Sequence, residues 1–328
     1  MANWNKKRVL VTGAGGFIGS HLTERLVEEG ATVRALVHYN ALGRRGWIDH
    51  SKFAKQMEII SGDVTDRDCM HQAAKDREII FHLGALIAIP YSYQVPLSYV
   101  HTNIEGTLNV LQTARAEGVE RVIHTSTSEV YGTAQYVPID ELHPLKGQSP
   151  YAASKIGADK MVEAFHLSFN LPVVTVRPFN TFGPRQSTRA IIPTIIVQCL
   201  TGDTIRLGNL HPTRDLNFVI NTVDGFLLAA SEPSCIGQTL NLGSNREISI
   251  GDLAGLIANI IGKPIQIESE DKRLRPQGSE VERLLANSLL AQTLLGWQPK
   301  ISLEEGLVRT IAWVKDNLDF YRGNTYAY

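Results

Sequence analysis

Arg8-Val9-Leu10-Val11-Thr12-Gly13-Ala14-Gly15-Gly16-Phe17-Ile18-Gly19 is the stretch that decides the fold. A buried-strand run from Arg8 to Thr12 ends in glycines at 13, 16 and 19, and a helical pattern then runs from Phe17 to Glu29. Strand, glycine turn and helix in this order make a phosphate-binding corner. Positions without side chains let the backbone approach a pyrophosphate, and the free amides at the helix N-terminus face its charge. Gly13, Gly16, Phe17, Ile18 and Gly19 are therefore candidate dinucleotide contacts.

Working outward, strand-like runs and helical patterns alternate. Thr32–Val37, Met57–Ile60, Ile79–Leu83, Val119–Thr125 and Pro172–Val176 read as strands, and Asn103–Ala116 and Tyr151–Phe169 as helices. The strands are continuous apolar runs, as expected where helices cover both faces of a parallel sheet. The expected fold is a Rossmann-like, doubly wound α/β sheet. After Arg177-Pro178 the turn signals Gly183-Pro184, Gly202-Asp203 and His211-Pro212 crowd too closely for another βαβ unit. A smaller mixed α/β lobe is expected there. Residues 1–178, with a return segment at 216–247, are expected to form the dinucleotide-binding domain, and 179–215 with 248–328 the substrate lobe.

Composition narrows the partners. Lys and Arg number 32 against 33 Asp and Glu, so the chain lacks the basic excess that nucleic acid or an anionic membrane would favour. Three scattered cysteines exclude a disulfide framework and point to a reducing, cytoplasmic setting. No two histidines lie within one helical turn of each other, so no helical metal pair exists and no metal is expected. The Ala190–Leu200 stretch is apolar but too short to span a bilayer.

The second strand leaves the cofactor open. An NAD site usually carries an acidic residue at that strand's end to hold the ribose. Here Leu36-Val37-His38-Tyr39-Asn40 puts His38 in that position, and Arg44-Arg45 follow, leaving room for a 2′-phosphate. NAD and NADP both remain, as does a simple solvated role for the two arginines. Asp63-Val64, after the third strand, is placed to meet the adenine. Leu83 and Ala85, after the fourth, can line the ribose or nicotinamide channel.

Tyr151 and Lys155 stand at i and i+4 on one helical face, where the ammonium is expected to draw the phenol toward ionisation. Chance supplies about 0.4 such pairs in a chain of this composition. Position gives this one its weight, because it follows Thr125-Ser126-Thr127-Ser128-Glu129 at the end of the fifth strand, where open α/β sheets place their chemistry. Thr127 could hydrogen-bond the hydroxyl that Tyr151 deprotonates.

Taken together, Gly13 to Gly19, His82 to Ala85, Thr127 and Tyr151/Lys155 resemble the extended short-chain dehydrogenase/reductases, over essentially the whole chain. The resemblance extends to Arg177 through Arg185, Arg214-Asp215 and Arg273-Leu274-Arg275-Pro276. It implies nucleotide-diphosphate-sugar substrates, a tightly held and recycled NAD(P), and homodimers built on paired helices. Thr127-Ser128-Glu129 is similar to the triplet of 4,6-dehydratases of the GDP-mannose type, which makes Glu129 the base for the C5 hydrogen. Ser128 stands where the dTDP-glucose type has Asp, so it joins the catalytic set by position and no general-acid role is carried onto it. Ala85 to Tyr93, including Pro90, resembles the N-acetylglucosamine-nucleotide 4,6-dehydratases of legionaminic acid biosynthesis. So do Thr133 to Glu141, Gly183 to Ser187 and Arg275 to Arg283.

The diphosphate of such a substrate needs cations, and forked guanidinium donors suit it. Arg185, Arg214 and Arg275 are the candidates, with an interlobe salt bridge as the alternative for each. Asn180 could hold a sugar or phosphate oxygen, or cap a turn. The rival reactions are oxidative decarboxylation of UDP-glucuronate, which uses the same Thr-Ser-Glu and Tyr/Lys pattern, and 4-epimerisation, which would leave Glu129 without a role.

Overall fold

The computed structural model describes residues 4–270 and 273–322. Its first half runs β1 (Arg8–Thr12), α1 (Phe17–Glu28), β2 (Thr32–His38), β3 (Glu58–Gly62), α2 (Arg67–Ala74) and β4 (Ile79–His82). Then come α3 (Ile89–Gln94), α4 (Pro96–Tyr99), a π-helical turn (Val100–Glu105), α5 (Gly106–Ala116), β5 (Arg121–Thr125), α6 (Pro150–Phe169) and β6 (Val173–Pro178). The second half contributes β7 (Asn180–Phe182), α7 (Ile191–Thr201), β8 (Thr204–Leu207), β9 (Thr213–Phe218), α8 (Val219–Ser231) and β10 (Thr239–Leu242). It finishes with β11 (Glu247–Ser249), α9 (Ile250–Ile261), β12 (Gln266–Ser269), β13 (Arg283–Leu284), α10 (Leu289–Leu295), α11 (Leu303–Asp316) and α12 (Leu318–Arg322).

Seven parallel strands make the main sheet, in the order β3-β2-β1-β4-β5-β6-β10. This is the Rossmann-like architecture. Strand order reverses between β1 and β4, and ligands of open α/β sheets bind in the crevice such a reversal leaves at the carboxyl ends. Alternate strand residues go to opposite faces. Val9 and Val11 pack with Leu22 and Leu26 of α1, whereas Leu10 packs with Val110 and Leu111 of α5. Both faces are dry, which is why β1 carries apolar residues throughout.

Register sets the functional edge. Thr12 lies opposite His82, His82 opposite His124, and Thr125 opposite Val176, so the residues after β1, β4 and β5 emerge side by side.

Beyond β6 the chain builds a second sheet centred on β9, which pairs with β7, β11 and β13, while β8 pairs with β12. After β9, α8 packs on α1 and β10 returns to the main sheet beside β6. The apolar stretch at Ala190–Leu200 is α7. Its Pro193 is tolerated because first-turn amides of a helix have no intrahelical acceptor to lose. Among the described residues no helix is long and apolar enough to cross a membrane.

Candidate active site

The glycine turn after β1 is shaped by contacts that exclude side chains. Gly13 has φ +68, and a Cβ there would lie 2.8 Å from Gly84 N and 2.9 Å from the Leu83 carbonyl. A Cβ on Gly16 would lie 3.2 Å from Gly13 O. Gly16 is the N-cap of α1 and has no side chain with which to cap it, so the first-turn amides stay available to an anion. Phe17 and Ile18 open the helix and pack partly buried on the core. This bare, close-packed cradle ahead of a helix N-terminus fits a dinucleotide pyrophosphate.

Thr12 fixes the opposite wall. Its hydroxyl accepts the amides of Leu83 (3.1 Å) and Gly84 (2.9 Å), which leaves its proton for Nδ1 of His82 at 2.8 Å. His82 Nε2 then donates to Thr107 (3.1 Å). Burial holds His82 well below the ordinary imidazole range, so it serves as a neutral strut. At the far end of the cradle, His38 Nε2 lies 3.2 Å from the Asp63 carboxylate. Burial pushes Asp63 up, but hydrogen bonds from Thr65 and the neighbouring His38 outweigh it and hold the carboxyl below its usual range. Val64 is buried against the positions of Gly84 and Gly106, supporting the wall from behind. Ala85 is half-buried just beyond.

The end of β5 and the start of α6 bring the catalytic candidates together. Thr127 is extended and its hydroxyl accepts the amide of Glu129 at 3.2 Å, turning the chain through a 3-10 turn, Ser128–Tyr131. Ser149 caps α6, whose second residue is Tyr151. Ser128, Glu129, Tyr151 and Lys155 are all buried. Thr127 hydrogen-bonds the Tyr151 phenol, and the Glu129 carboxylate is near enough for its charge to act on that phenol.

One expectation changes in this setting. Lys155 was expected to draw the phenol toward ionisation, but its Nζ donates to the Thr125 carbonyl at 2.7 Å. Burial lifts Tyr151 well above the ordinary phenol range, outweighing the Thr127 hydrogen bond, and Glu129 adds to the rise. Burial also brings the Lys155 ammonium down to about 8, against the pull of Asp159. Desolvation wins because both groups are cut off from water.

A cleft of about 230 Å³ opens past β6, lined by Asn180, Arg189, Arg214, Arg273, Arg275 and Glu280 among others. Arg214 is buried; it donates to the Thr213 carbonyl (2.9 Å) and lies 3.4 Å from Glu280, which is 3.8 Å from Arg275. Burial holds the Arg214 guanidinium below its usual range, and the nearby Glu129 charge opposes that. The Glu129 charge thus reaches both the Tyr151 phenol and Arg214 of the cleft. Asn180 Oδ1 and Arg275 Nη1 are buried without a hydrogen bond, although Nη1 keeps its longer ion pair with Glu280, as expected of groups that can meet a polar ligand.

Two candidates lie elsewhere. Arg185 donates from Nη2 to both oxygens of Glu24 on α1, at 2.9 and 3.1 Å, which holds it away from the cleft, and its Nη1 is buried without a hydrogen bond. Pro90 is exposed in the first turn of α3 and does not line the cleft. Two residues were missed. Arg189 lines the cleft and acts electrostatically on the buried Tyr99, whose ring meets Tyr151 edge-on at 6.2 Å; no motif spacing marks either one. Asp159 was missed as well, although 151, 155 and 159 fall on one helical stripe and that spacing could have found it.

A sequence model of the family described as GDP-mannose 4,6 dehydratase matches residues 10–310. A UDP-glucose 4-epimerase of Mycolicibacterium smegmatis is 33% identical over 315 residues, covering 94% of this chain and 99% of that protein. A UDP-N-acetyl-alpha-D-glucosaminuronate decarboxylase of Bacillus cytotoxicus is 30% identical over 324 residues, 95% of this chain and 98% of that one. Among solved structures, the dTDP-glucose 4,6-dehydratase DesIV of Streptomyces venezuelae, with NAD and TYD bound, superposes with a TM-score of 0.88 at 28% identity. It covers 96% of this chain and 99% of its own. Three reactions are represented on one scaffold, and the chain belongs to the GDP-mannose 4,6-dehydratase family, NAD-dependent nucleotide-sugar-modifying enzymes among the extended short-chain dehydrogenase/reductases.

Proposed function

We propose that this enzyme is a nucleotide-sugar 4,6-dehydratase that converts an NDP-hexose, an NDP-N-acetylglucosamine, to its 4-keto-6-deoxy form. The observation that carries the reading is the burial of Glu129 beside Tyr151. A 4-epimerase has no use for a second buried proton acceptor, whereas elimination across C5 and C6 requires one. The N-acetylglucosamine assignment, and a place in legionaminic acid biosynthesis in the cytoplasm, rest on the resembling segments around residues 85–93, 133–141 and 275–283.

Gly13, Gly16, Phe17, Ile18 and Gly19 would hold the pyrophosphate of an NAD(P), His38, Asp63 and Val64 its adenosine end, and Leu83, Ala85 and Lys155 its nicotinamide half. When bound, that cofactor would supply reversible hydride transfer, from C4 first and to C6 afterwards. Tyr151, once its phenol has lost its own proton, takes the proton of the 4-hydroxyl while Thr127 holds the same oxygen and the Lys155 cation stabilises the phenolate that this step requires. The 4-ketone acidifies C5–H, because the resulting carbanion delocalises as an enolate. Glu129 removes that proton and passes it to the 6-hydroxyl, which departs as water; as hydride adds at C6, C5 takes a proton from solvent and the proton on Tyr151 is released to solvent in turn. Arg214 and Arg275 hold the diphosphate, with Asn180 on a neighbouring oxygen. Residues 1–178 and 216–247 would act as the cofactor half, and 179–215 with 248–328 as the sugar-nucleotide half, of a homodimer built on paired helices.

Uronate decarboxylation is the second reading, favoured by the cation of Arg214 beside Glu129. Charge balance weighs against it. Arg273 is paired with Glu270 at 2.5 Å, and of the cleft's lining residues Arg189, Arg214 and Arg275 set against Glu280 leave two positive charges, before the Glu129 charge that acts on Arg214 is counted. A nucleoside-diphosphate ester matches those two; a uronate would bring a third negative charge. Incubation with UDP- and GDP-N-acetylglucosamine tests the reading: NMR of a 4-keto-6-deoxy product supports it. Turnover only of uronates with release of carbon dioxide, or a C4 epimer alone, overturns it.

A further inference from the structure

The charged network beneath Lys155 has no part in the scheme above, yet it joins the two elements that carry that scheme. Asp159, one turn beyond Lys155 on α6, is buried. Its Oδ1 lies 3.0 Å from His124 Nε2, its Oδ2 accepts the Ser126 hydroxyl at 2.7 Å, and Arg177 donates to Oδ2 at 2.9 and 3.2 Å. Lys155 meanwhile donates to the carbonyl of Thr125. Three consecutive residues at the end of β5 are therefore gripped by two residues of α6, just before Thr127 and Glu129 and one turn after Tyr151.

We propose that Asp159 is a positioning residue: it registers the Thr127–Glu129 turn against Tyr151, and its carboxylate is the charge that keeps the buried Lys155 ammonium cationic. The proposal rests on the dehydratase reading only for what Lys155 then does.

The surroundings of Lys155 leave that task to Asp159. His124 on β5 and His82 on β4 face the same space, and both are held below the ordinary imidazole range, first by burial. Neutral, they add no negative charge. Tyr151 on α6 is lifted by burial and is not among the groups that hold the Lys155 cation. Arg177 on β6 is cationic, and it is bound to Asp159 and to the Tyr131 hydroxyl (3.0 Å). Asp159 is the charge that acts on Lys155 in the direction that favours the ammonium, beside the hydrogen bond Lys155 donates to the Thr125 carbonyl. Burial opposes ionisation of Asp159, but His124 and the charges of Arg177 and Lys155 outweigh it and bring the carboxyl down to about 2.

The test is the titration of Lys155 in the full chain, followed by carbon-13 NMR of its ε-carbon, the signal being assigned by its loss in Lys155→Arg. In Asp159→Asn the midpoint is expected to fall by about one pH unit or more, and the alkaline limb of kcat/KM to move with it, while KM stays within about threefold. Asp159→Glu restores the parent midpoint. Ser126→Ala, which removes one hydrogen bond and leaves the carboxylate charge, lowers turnover without moving the midpoint. An unchanged midpoint in Asp159→Asn overturns the proposal, and so does an equal shift in Ser126→Ala. Should Asp159→Asn fail to fold, Asp159→Asn/Arg177→Met removes both buried charges together and leaves neither unpaired; the same fall is expected there, and its absence overturns the proposal. The NMR arm needs no substrate. Loss of the dehydratase reading, seen as no turnover by the parent, is thereby distinguished from loss of this one.

Discussion

A Cβ on Gly19 would sit 2.2 Å from the carbonyl oxygen of Gly13, so the first turn of α1 lies directly on the glycine turn that precedes it. The obstacle is backbone, which cannot rotate away. Gly19→Ala is expected to destabilise the fold by about 1–3 kcal/mol. It should also widen the pyrophosphate cradle, so that dinucleotide retained through purification drops severalfold. Thermal unfolding, with chromatography of nucleotide released on denaturation, measures both.

Two arginines that look alike in sequence should behave differently. Arg275 lines the cleft and holds Glu280 only at 3.8 Å, whereas Arg185 does not line it and is bound to Glu24 at 2.9 Å. Removing a hydrogen bond to a charged group costs about 1.5–3 kcal/mol. Arg275→Met should therefore raise KM for the nucleotide sugar roughly tenfold or more and leave the unfolding midpoint nearly unchanged. Arg185→Met should lower the midpoint and spare KM. A double-mutant cycle with Glu24→Gln should return a coupling above about 0.5 kcal/mol.

His21 beside that bridge gives a pH signature. Its Nε2 lies 3.0 Å from the Pro184 carbonyl, and burial first, then the Arg185 charge, brings its imidazole down to about 4. The unfolded chain takes up the proton near 6.5, before the folded chain does. Stability is therefore lost as pH falls from about 6.5 to about 4 and levels off below. One unit is about 1.4 kcal/mol, so the loss over about 2.5 units is at most about 3.5 kcal/mol. Urea unfolding across that window should show the loss in the parent and a flatter profile in His21→Gln.

The catalytic pair separates by step. Tyr151→Phe should cut turnover about a hundredfold or more, with cofactor retained. Glu129→Gln should still oxidise C4 but not eliminate water, so reduced nicotinamide accumulates on mixing with substrate. Stopped-flow absorbance reads that build-up, and normal turnover by Glu129→Gln removes Glu129 from the mechanism.

How legible all this was depends on whether the signal is local. β1, its glycine turn and α6 could be read because strand, turn and capped helix each follow from neighbours in sequence. The pairing of Arg185 with Glu24 spans 161 positions, and nothing within the Gly183-Pro184-Arg185 stretch distinguishes a salt bridge from a phosphate contact. The state of Tyr151 was misjudged for a related reason. Spacing places Lys155 on the same face, but burial, which decides the sign, comes from the packed elements around it. The β3 boundary fell later than expected, at Glu58–Gly62, because Ser61 and Gly62 carry no apolar signal yet complete the ladder with β2.

The most direct test follows one atom. Substrate carrying deuterium at C4 should give a product with that deuterium in the new C6 methyl group and a solvent-derived hydrogen at C5. Deuterium found again at C4 of the product, with the 6-hydroxyl intact, would contradict the account.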